Sequence, residues 1–219
     1  MIQPTAMAEA AQIDKPSPTR QRLAILVAAV PALLLAAQFA HVLVAPLAGN
    51  NRQWAVDAVV LMLLEFFMVH AGFMSLAAMA GERRWRVGIA VGLGVFYLLF
   101  VAMFAYVFDA LAMAAVVAVL LAGRLGGAAL GGPGEMTSRI IGSVVGVVFY
   151  LGAVTVTAGP ESFPAFGFTP EVIRELRPAF GSTSGLWVEE PHRAVAGAAA
   201  YFLMLGLFEL GRLLRVRST

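Results

Sequence analysis

The stretch Leu23–Pro46, with the sequence LAILVAAVPALLLAAQFAHVLVAP, contains no charged residue. A helix needs about 20 consecutive apolar residues to cross the hydrocarbon core of a bilayer. A secretory signal peptide is the alternative, but its apolar core is only about 7–15 residues long. The length of this stretch therefore predicts a retained transmembrane helix, which follows a disordered cytoplasmic tail over residues 1–22.

The composition extends this prediction to the whole chain. Of its 219 residues, 60% are hydrophobic and 13% are charged, whereas soluble domains have about 45–50% apolar and about 25% charged residues. The chain has no cysteine, which excludes disulfides, cysteine nucleophiles and thiolate-bound metals. We expect one all-α membrane domain over residues 23–214, followed by a short cytoplasmic tail over residues 215–219.

Six apolar segments reach or approach the length of a membrane-spanning helix. They are Leu23–Pro46, Trp54–Ala80, Val87–Phe108, Ala110–Gly127, Arg139–Ala158 and Ala194–Leu214. The fourth segment is the shortest, and Arg124 interrupts it. The glycine-rich region of residues 123–134 therefore either belongs to a short spanning helix or forms part of a re-entrant hairpin.

The basic residues orient these segments. Cytoplasmic loops are enriched in Lys and Arg, and six spans with an internal N-terminus place most of the 15 basic residues on the cytoplasmic side. This predicts that both termini are cytoplasmic. The basic residues lie between apolar segments rather than in a patch, so the net charge of +2 indicates no nucleic-acid partner. The bias towards Ala, Gly and Arg is typical of bacteria and favours the inner (plasma) membrane.

The longest external segment runs from Gly159 to Arg193. Its Thr169-Pro170-Glu171 sequence predicts the start of a short helix near residues 170–177, which Pro178 should end. Its aromatic residues are expected to anchor at the lipid headgroups, and the alternative is a lid over an external cavity. The aromatic residues of this segment are Phe163, Phe166, Phe168, Phe180 and Trp187. Its interleaved acidic and arginine side chains, Arg193 included, predict a solvated surface of mixed charge.

Glu65 is the ionisable residue expected deepest in the membrane, about 16 Å below Trp54 at 1.5 Å per residue. Asp57 follows the same helix face, so this face is a candidate path for a proton or cation. The alternative is a neutral Glu65 that hydrogen-bonds a neighbouring helix, because low dielectric favours the uncharged carboxyl. His70 lies about 140° around the helix from Glu65, and a proton relay between them is a weaker hypothesis.

Charged side chains near the inner face form a second candidate group. Glu209 and Arg212 are one turn apart in the last segment, and Arg124 can join them if the helices pack together. We expect a partly buried ion pair there. Two further pairs, Gly88 with Gly92 and Gly142 with Gly146, have the spacing that lets membrane helices approach closely.

No metal or cofactor is expected. His41 and His70 differ by about 15 Å in depth by helical rise, which is too far for ligands of one zinc or haem iron. His192 lies in the external segment. No nucleophile–base pair can be assembled from these residues, so catalytic residues are not expected and an intramembrane enzyme is the weakest functional hypothesis.

The sequence from Trp54 to Phe67 has a tryptophan before a helix that carries a mid-membrane glutamate beside aromatic residues. In this it resembles an uncharacterised family of prokaryotic integral membrane proteins, a domain of unknown function. The stretch Glu135–Arg139 and the acidic Glu209 are similar as well, whereas a histidine expected in the fifth segment is absent. The resemblance implies a helical bundle and no particular activity.

Two functional hypotheses follow. The first is a small transporter, channel or component of a membrane complex, with Glu65 as its polar centre. The second is a structural or assembly subunit, whose buried acids serve helix packing. Such a subunit would dock a membrane protein, or a second copy of the chain, through its external segment or its helix faces. In both cases the lipid bilayer is the expected surrounding.

Overall fold

The computed structural model describes residues 18–79, 83–108, 115–118, 120–121, 136–159, 163–181 and 184–216. Within these ranges the regular structure is entirely helical, which confirms the all-α prediction. The α-helices are α1 Pro18–Val44, α2 Asn51–Met79, α3 Arg83–Phe108, α4 Met136–Ala158, α5 Pro170–Leu176, α6 Leu186–Glu189 and α7 Pro191–Val216. A 3₁₀ turn, Arg177–Phe180, follows α5.

Three of these helices are long and apolar enough to cross a membrane. The qualifying stretches are Ile25–Val44 in α1, Ile140–Ala158 in α4 and Pro191–Leu213 in α7. A shorter apolar stretch, Val87–Met103, lies in α3. The predicted fourth segment, Ala110–Gly127, lies largely outside the described residues. The described part of the chain is therefore helical, and its three long apolar helices are compatible with a membrane protein.

Helix α1 begins at Pro18, before the predicted start of the first span at Leu23. Proline suits the first turn of a helix, because its missing N–H would have no acceptor there. The helix thus includes residues 18–22, which the sequence assigned to the tail.

The most extensive helix contact joins α1 to α7, which run antiparallel. The rings of Phe39 and Phe202 stack with centroids 6.3 Å apart. Further along, Leu33 faces Gly206 so closely that an added Cβ at Gly206 would lie 2.6 Å from Leu33 Cγ. Because glycine has no side chain, the backbones of α1 and α7 approach closely at this position. Any larger residue would push them apart.

Helix α2 runs parallel to α7. Met62 lies beside Gly197, with Met62 Cε 3.4 Å from the position of an added glycine Cβ. Three residues later in α2, Glu65 contacts Tyr201, which lies further along α7 in the same direction. Because α2 and α7 run in the same direction, both begin at the same end of the bundle.

Helix α4 is antiparallel to α7, and α3 is antiparallel to α2. Thr157, near the end of α4, faces Gly197 near the start of α7, with its Oγ1 3.3 Å from an added Cβ there. The ring of Phe67 in α2 lies 4.4 Å from that of Phe100 in α3. Along one continuous helix these two residues would be about 50 Å apart, so the chain folds back between α2 and α3.

The four glycines predicted to bring helices together do not do so within the described structure. An added Cβ at Gly88, Gly92, Gly142 or Gly146 meets no atom within 4 Å. The spacing of small residues is therefore not sufficient to locate a helix contact. The close contact between α1 and α7 instead forms where one glycine, Gly206, faces the large side chain of Leu33.

The segment from Gly159 to Arg193, which the sequence predicts to be external, folds in its described residues as a cap over the ends of α1, α2 and α7. Phe168 and Phe180 are buried in the same hydrophobic core as the long helices, and Phe163 and Trp187 pack against it half-buried. The expectation that these aromatic residues anchor at the headgroups is therefore wrong for Phe168 and Phe180. Their rings face the protein because the cap has its own tertiary contacts, which hydropathy does not report.

The cap begins its helix α5 as the sequence indicates. Thr169 Oγ1 accepts a hydrogen bond from the N–H of Val172 at 3.4 Å, and Pro170 occupies the first turn. The helix ends at Leu176, but the chain continues as the 3₁₀ turn through Pro178. Proline therefore changes the type of helix here instead of ending the helical path.

Candidate functional site

The centre of the bundle contains a buried carboxyl group bound by a phenol. Glu65 in α2 and Tyr201 in α7 both have 0% of their surface exposed. Tyr201 Oη donates a hydrogen bond to Glu65 Oε2 at 2.8 Å. A hydrogen bond of this kind is electrostatically stronger in a low-dielectric interior than in water, so it fixes α2 against α7.

A second tyrosine brings α4 to the same place. Tyr150 Oη donates a hydrogen bond to the backbone carbonyl oxygen of Met62 at 2.9 Å. The ring of Tyr150 meets that of Tyr201 edge to face, with centroids 5.9 Å apart and planes at 89°. Three helices thus converge around Glu65, each through a polar atom.

Aromatic rings pack around Glu65, Tyr201 and Tyr150. Phe202 contacts Tyr201 at a centroid distance of 5.0 Å and stacks on Phe39 of α1 at 6.3 Å. Phe66 packs against Tyr150 at 6.2 Å. The polar pair therefore sits inside an apolar shell contributed by α1, α2, α4 and α7.

Asp57 is buried nearer the start of α2, where its Oδ1 accepts a hydrogen bond from Gln53 Nε2 at 2.9 Å. Eight residues of helix separate Asp57 from Glu65, or about 12 Å along the axis. Leu61, which lies between them on this face, is fully buried. The two carboxyl groups are thus separated by a packed apolar side chain.

His70 lies in α2 one residue after Val69, and its side chain is outside the described part of the structure. The proton relay between His70 and Glu65 therefore stays a prediction. So does a participation of Arg124, which lies between the described ranges 120–121 and 136–159.

At the other end of α7, Arg212 and Glu209 are in contact. Arg212 Nη1 lies 2.8 Å from Oε2 and 3.1 Å from Oε1 of Glu209. Glu209 is largely buried and Arg212 is half-exposed. This is the partly buried ion pair that the sequence predicts for these two residues, with the arginine the more exposed partner.

Sequence reasoning missed the role of Arg193 at the start of α7. It is buried, not solvated as predicted, and its Nη1 donates a hydrogen bond to the backbone carbonyl oxygen of Thr157 at 2.8 Å. Its Nε contacts the Glu190 carboxylate, and its guanidinium carbon lies 5.5 Å from the ring centroid of Phe163. Arg193 thus joins the end of α4, the start of α7 and the cap.

A polar contact that no local sequence pattern indicates also joins α1 to α2. Asn51 is buried, and its Nδ2 donates a hydrogen bond to the carbonyl oxygen of Ala45 at 2.7 Å. Gln38 Nε2 donates to Asn51 Oδ1 at 3.1 Å, and His41 Nδ1 lies 3.3 Å from Asn51 Nδ2. These contacts hold the connection between the two helices in one conformation.

Within the described ranges, no group of three or more His, Asp or Glu side chains is arranged to hold a metal ion. Comparisons with protein-family models, with curated proteins and with solved structures gave no match for this chain. The resemblance of the Trp54–Phe67 stretch to a prokaryotic membrane family therefore stays a prediction.

Proposed function

We propose that this chain is a six-span protein of a bacterial inner membrane, with both termini cytoplasmic, and that it acts as a structural or assembly subunit of a membrane complex. The burial of Glu65 and its hydrogen bond from Tyr201 are the observation that carries this function. The topology rests on the apolar segments, the distribution of arginines and the directions of the helices.

The helix directions support an even number of spans. Helices α2 and α7 are parallel, α3 is antiparallel to α2, and α4 is antiparallel to α7, so α3 and α4 point the same way. Phe108 at the end of α3 and Met136 at the start of α4 therefore belong to opposite ends of the bundle. A fourth span over Ala110–Gly127, as the sequence predicts, would join these two ends.

This topology is tested with single cysteines, since the chain has none of its own. Asp109→Cys and Glu135→Cys flank the proposed fourth span. In intact cells, a membrane-impermeant maleimide should label the first variant and should label the second only after the cells are opened. Equal labelling of both variants in intact cells would contradict the six-span topology.

The structural role follows from how Glu65 is enclosed. A carboxyl group that carries ions must exchange with water on each side of the membrane, whereas Glu65 is surrounded by buried side chains of its own helix and by the aromatic shell. Its hydrogen bond to Tyr201 satisfies a polar group that would be costly alone in an apolar interior. Glu65 therefore specifies how α2 packs on α7.

An assembly role predicts a partner in the membrane. When the subunit is solubilised in a mild detergent, native mass spectrometry should detect it as a complex of fixed stoichiometry. The partner would be either another membrane protein or a second copy. A homogeneous monomer that is fully stable in a bilayer would speak against this role.

Proton or ion transport is a second candidate, which the position of an ionisable carboxyl group and a phenol at the centre of the bundle favours. Purified protein in proteoliposomes should then carry a proton or small-ion flux that Glu65→Gln abolishes. Glu171→Gln, in the exposed first turn of α5, is the control and should leave the flux unchanged. Absence of flux in the wild type and in both variants would retire this candidate and leave the structural role.

A further inference from the structure

Phe166 differs from the other aromatic residues of the cap in both conformation and exposure. Its φ is 51°, in the left-handed region that non-glycine residues rarely adopt, and its side chain is 56% exposed. Its ring meets the ring of Phe163 edge to face, at a centroid distance of 6.2 Å. Unfavourable backbone conformations of this kind cluster at functional positions such as active sites, ligand clamps and switch regions.

The backbone around Phe166 is fixed to the end of α1. The N–H of Gly167 donates a hydrogen bond to the carbonyl oxygen of Leu43 at 2.9 Å, and the N–H of Phe168 donates to that of Ala165 at 2.9 Å. An added Cβ at Gly167 would lie 2.5 Å from the carbonyl oxygen of Val44. Glycine is therefore required at residue 167 for the loop to reach α1.

These contacts set the depth of Phe166 relative to the apolar helices. The apolar stretch of α1 ends at Val44, that of α4 ends at Ala158 and that of α7 begins at Pro191. All three termini lie at the cap end of the bundle. In the membrane arrangement proposed above, on which this inference rests, that level is the boundary between hydrocarbon and headgroups.

The cap has an apolar edge and a charged edge. The sequence from Phe163 to Phe168 contains no charged residue, and Pro164, Ala165 and Phe166 are exposed. Val44, whose carbonyl group touches Gly167, is 76% exposed. Helix α5 instead presents the exposed charges of Glu171, Arg174 and Glu175.

We propose that Pro164–Phe166 is a membrane anchor of the external cap, with the Phe166 ring inserted at the boundary between the acyl chains and the headgroups. An apolar edge continuous with the end of a spanning helix gains by leaving water. Interfacial protein segments bury Phe and Leu there and keep their charged residues on the aqueous side. The left-handed conformation of Phe166 aims the ring outward while the flanking Phe163 and Phe168 pack inward.

The test measures the depth of single nitroxide labels in vesicles of phosphatidylethanolamine and phosphatidylglycerol. Phe166→Cys reports the anchor itself, and Ala165→Cys reports its neighbour with Phe166 intact. Val148→Cys, on the exposed face of α4 within its apolar stretch, is the lipid reference, and Ala179→Cys, in the exposed 3₁₀ turn, is the water reference. Collision rates are measured with oxygen and with a water-soluble nickel complex.

Labels at residues 165 and 166 should show several-fold higher oxygen-to-nickel collision ratios than the label at residue 179. Ratios equal to that of residue 179 would overturn the anchor while leaving the topology intact, provided that residue 148 reports lipid. Low collision rates with both reagents would also overturn it, since they mean that protein covers the loop. If residue 148 itself reports water, the membrane arrangement and the anchor fail together.

Discussion

Tyr201 and Glu65 are 136 positions apart in the chain, yet the phenol of the first donates a 2.8 Å hydrogen bond to the carboxyl group of the second. The contact lies where α2, α4 and α7 meet, and Tyr150 completes it from α4. It is therefore a tertiary contact that joins distant parts of the chain, and it provides the sharpest tests of the proposed structural role.

Tyr201→Phe removes the donor and leaves the buried carboxyl group without this hydrogen bond. We expect a loss of about 1–3 kcal/mol in the free energy of unfolding, measured as a lower midpoint of thermal unfolding in detergent micelles. Tyr106→Phe is the matched control, because Tyr106 is 88% exposed on α3. Equal midpoints for the two variants would mean that the contact does not hold the bundle together.

Replacing both Glu65 and Tyr201 distinguishes a role of their contact in helix packing from a requirement for the carboxyl group itself. The double variant Glu65→Met with Tyr201→Phe removes the donor and the acceptor of this hydrogen bond together, so neither is left buried without the other. We expect its unfolding midpoint to lie closer to that of the wild type than the midpoint of Tyr201→Phe does. A double variant less stable than either single variant would instead indicate that the carboxyl group is required in its own right.

Gly206→Ala tests the close contact between α1 and α7. The new Cβ would lie 2.6 Å from Leu33 Cγ, so we expect a loss of about 1–3 kcal/mol from overpacking, measured by thermal unfolding. Gly211→Ala, in the same helix, meets no atom within 4 Å and should be neutral or stabilising by up to about 1 kcal/mol. Leu33→Ala added to Gly206→Ala should restore part of the loss, because it vacates the space that the new methyl group needs.

Arg193→Ala should loosen the cap. It removes a buried hydrogen bond from a charged group to the Thr157 carbonyl and the contact with Glu190, which we expect to cost about 1.5–3 kcal/mol. The readout is faster amide hydrogen exchange in α5 and in the first turn of α7. Arg193→Lys should not rescue it, because an ammonium group cannot reach both partners as the guanidinium fork does. Arg174→Ala, at an exposed position of α5, is the control and should leave the exchange unchanged.

Much of the fold could be predicted from the sequence because helices in lipid are selected by local composition. The long apolar runs at Leu23–Pro46, Arg139–Ala158 and Ala194–Leu214 each correspond to a helix able to span a membrane. The start of α5 was predictable as well, since Thr169 and Pro170 act on the adjacent backbone. The apolar runs and the start of α5 both depend on residues that are adjacent in the sequence.

The candidate site depended on contacts that local patterns do not encode. The depth of Glu65 could be predicted from helical rise, but its partner Tyr201 could not, because nothing in α7 marks one tyrosine as facing α2. Arg193 looked like a solvated charge because it adjoins the external segment, and only the return of the chain to Thr157 buries it. Similarly, the spacing of glycines singled out Gly88 and Gly142 and missed Gly206.

The antiparallel packing of α1 on α7 has a consequence for biogenesis. Because α1 is synthesised well before α7, the face of α1 that carries Leu33 and Phe39 lacks its main partner until α7 has been translated. A chain truncated before α7 would leave this face without its main partner, and exposed apolar surface of this kind makes incomplete chains prone to misassembly.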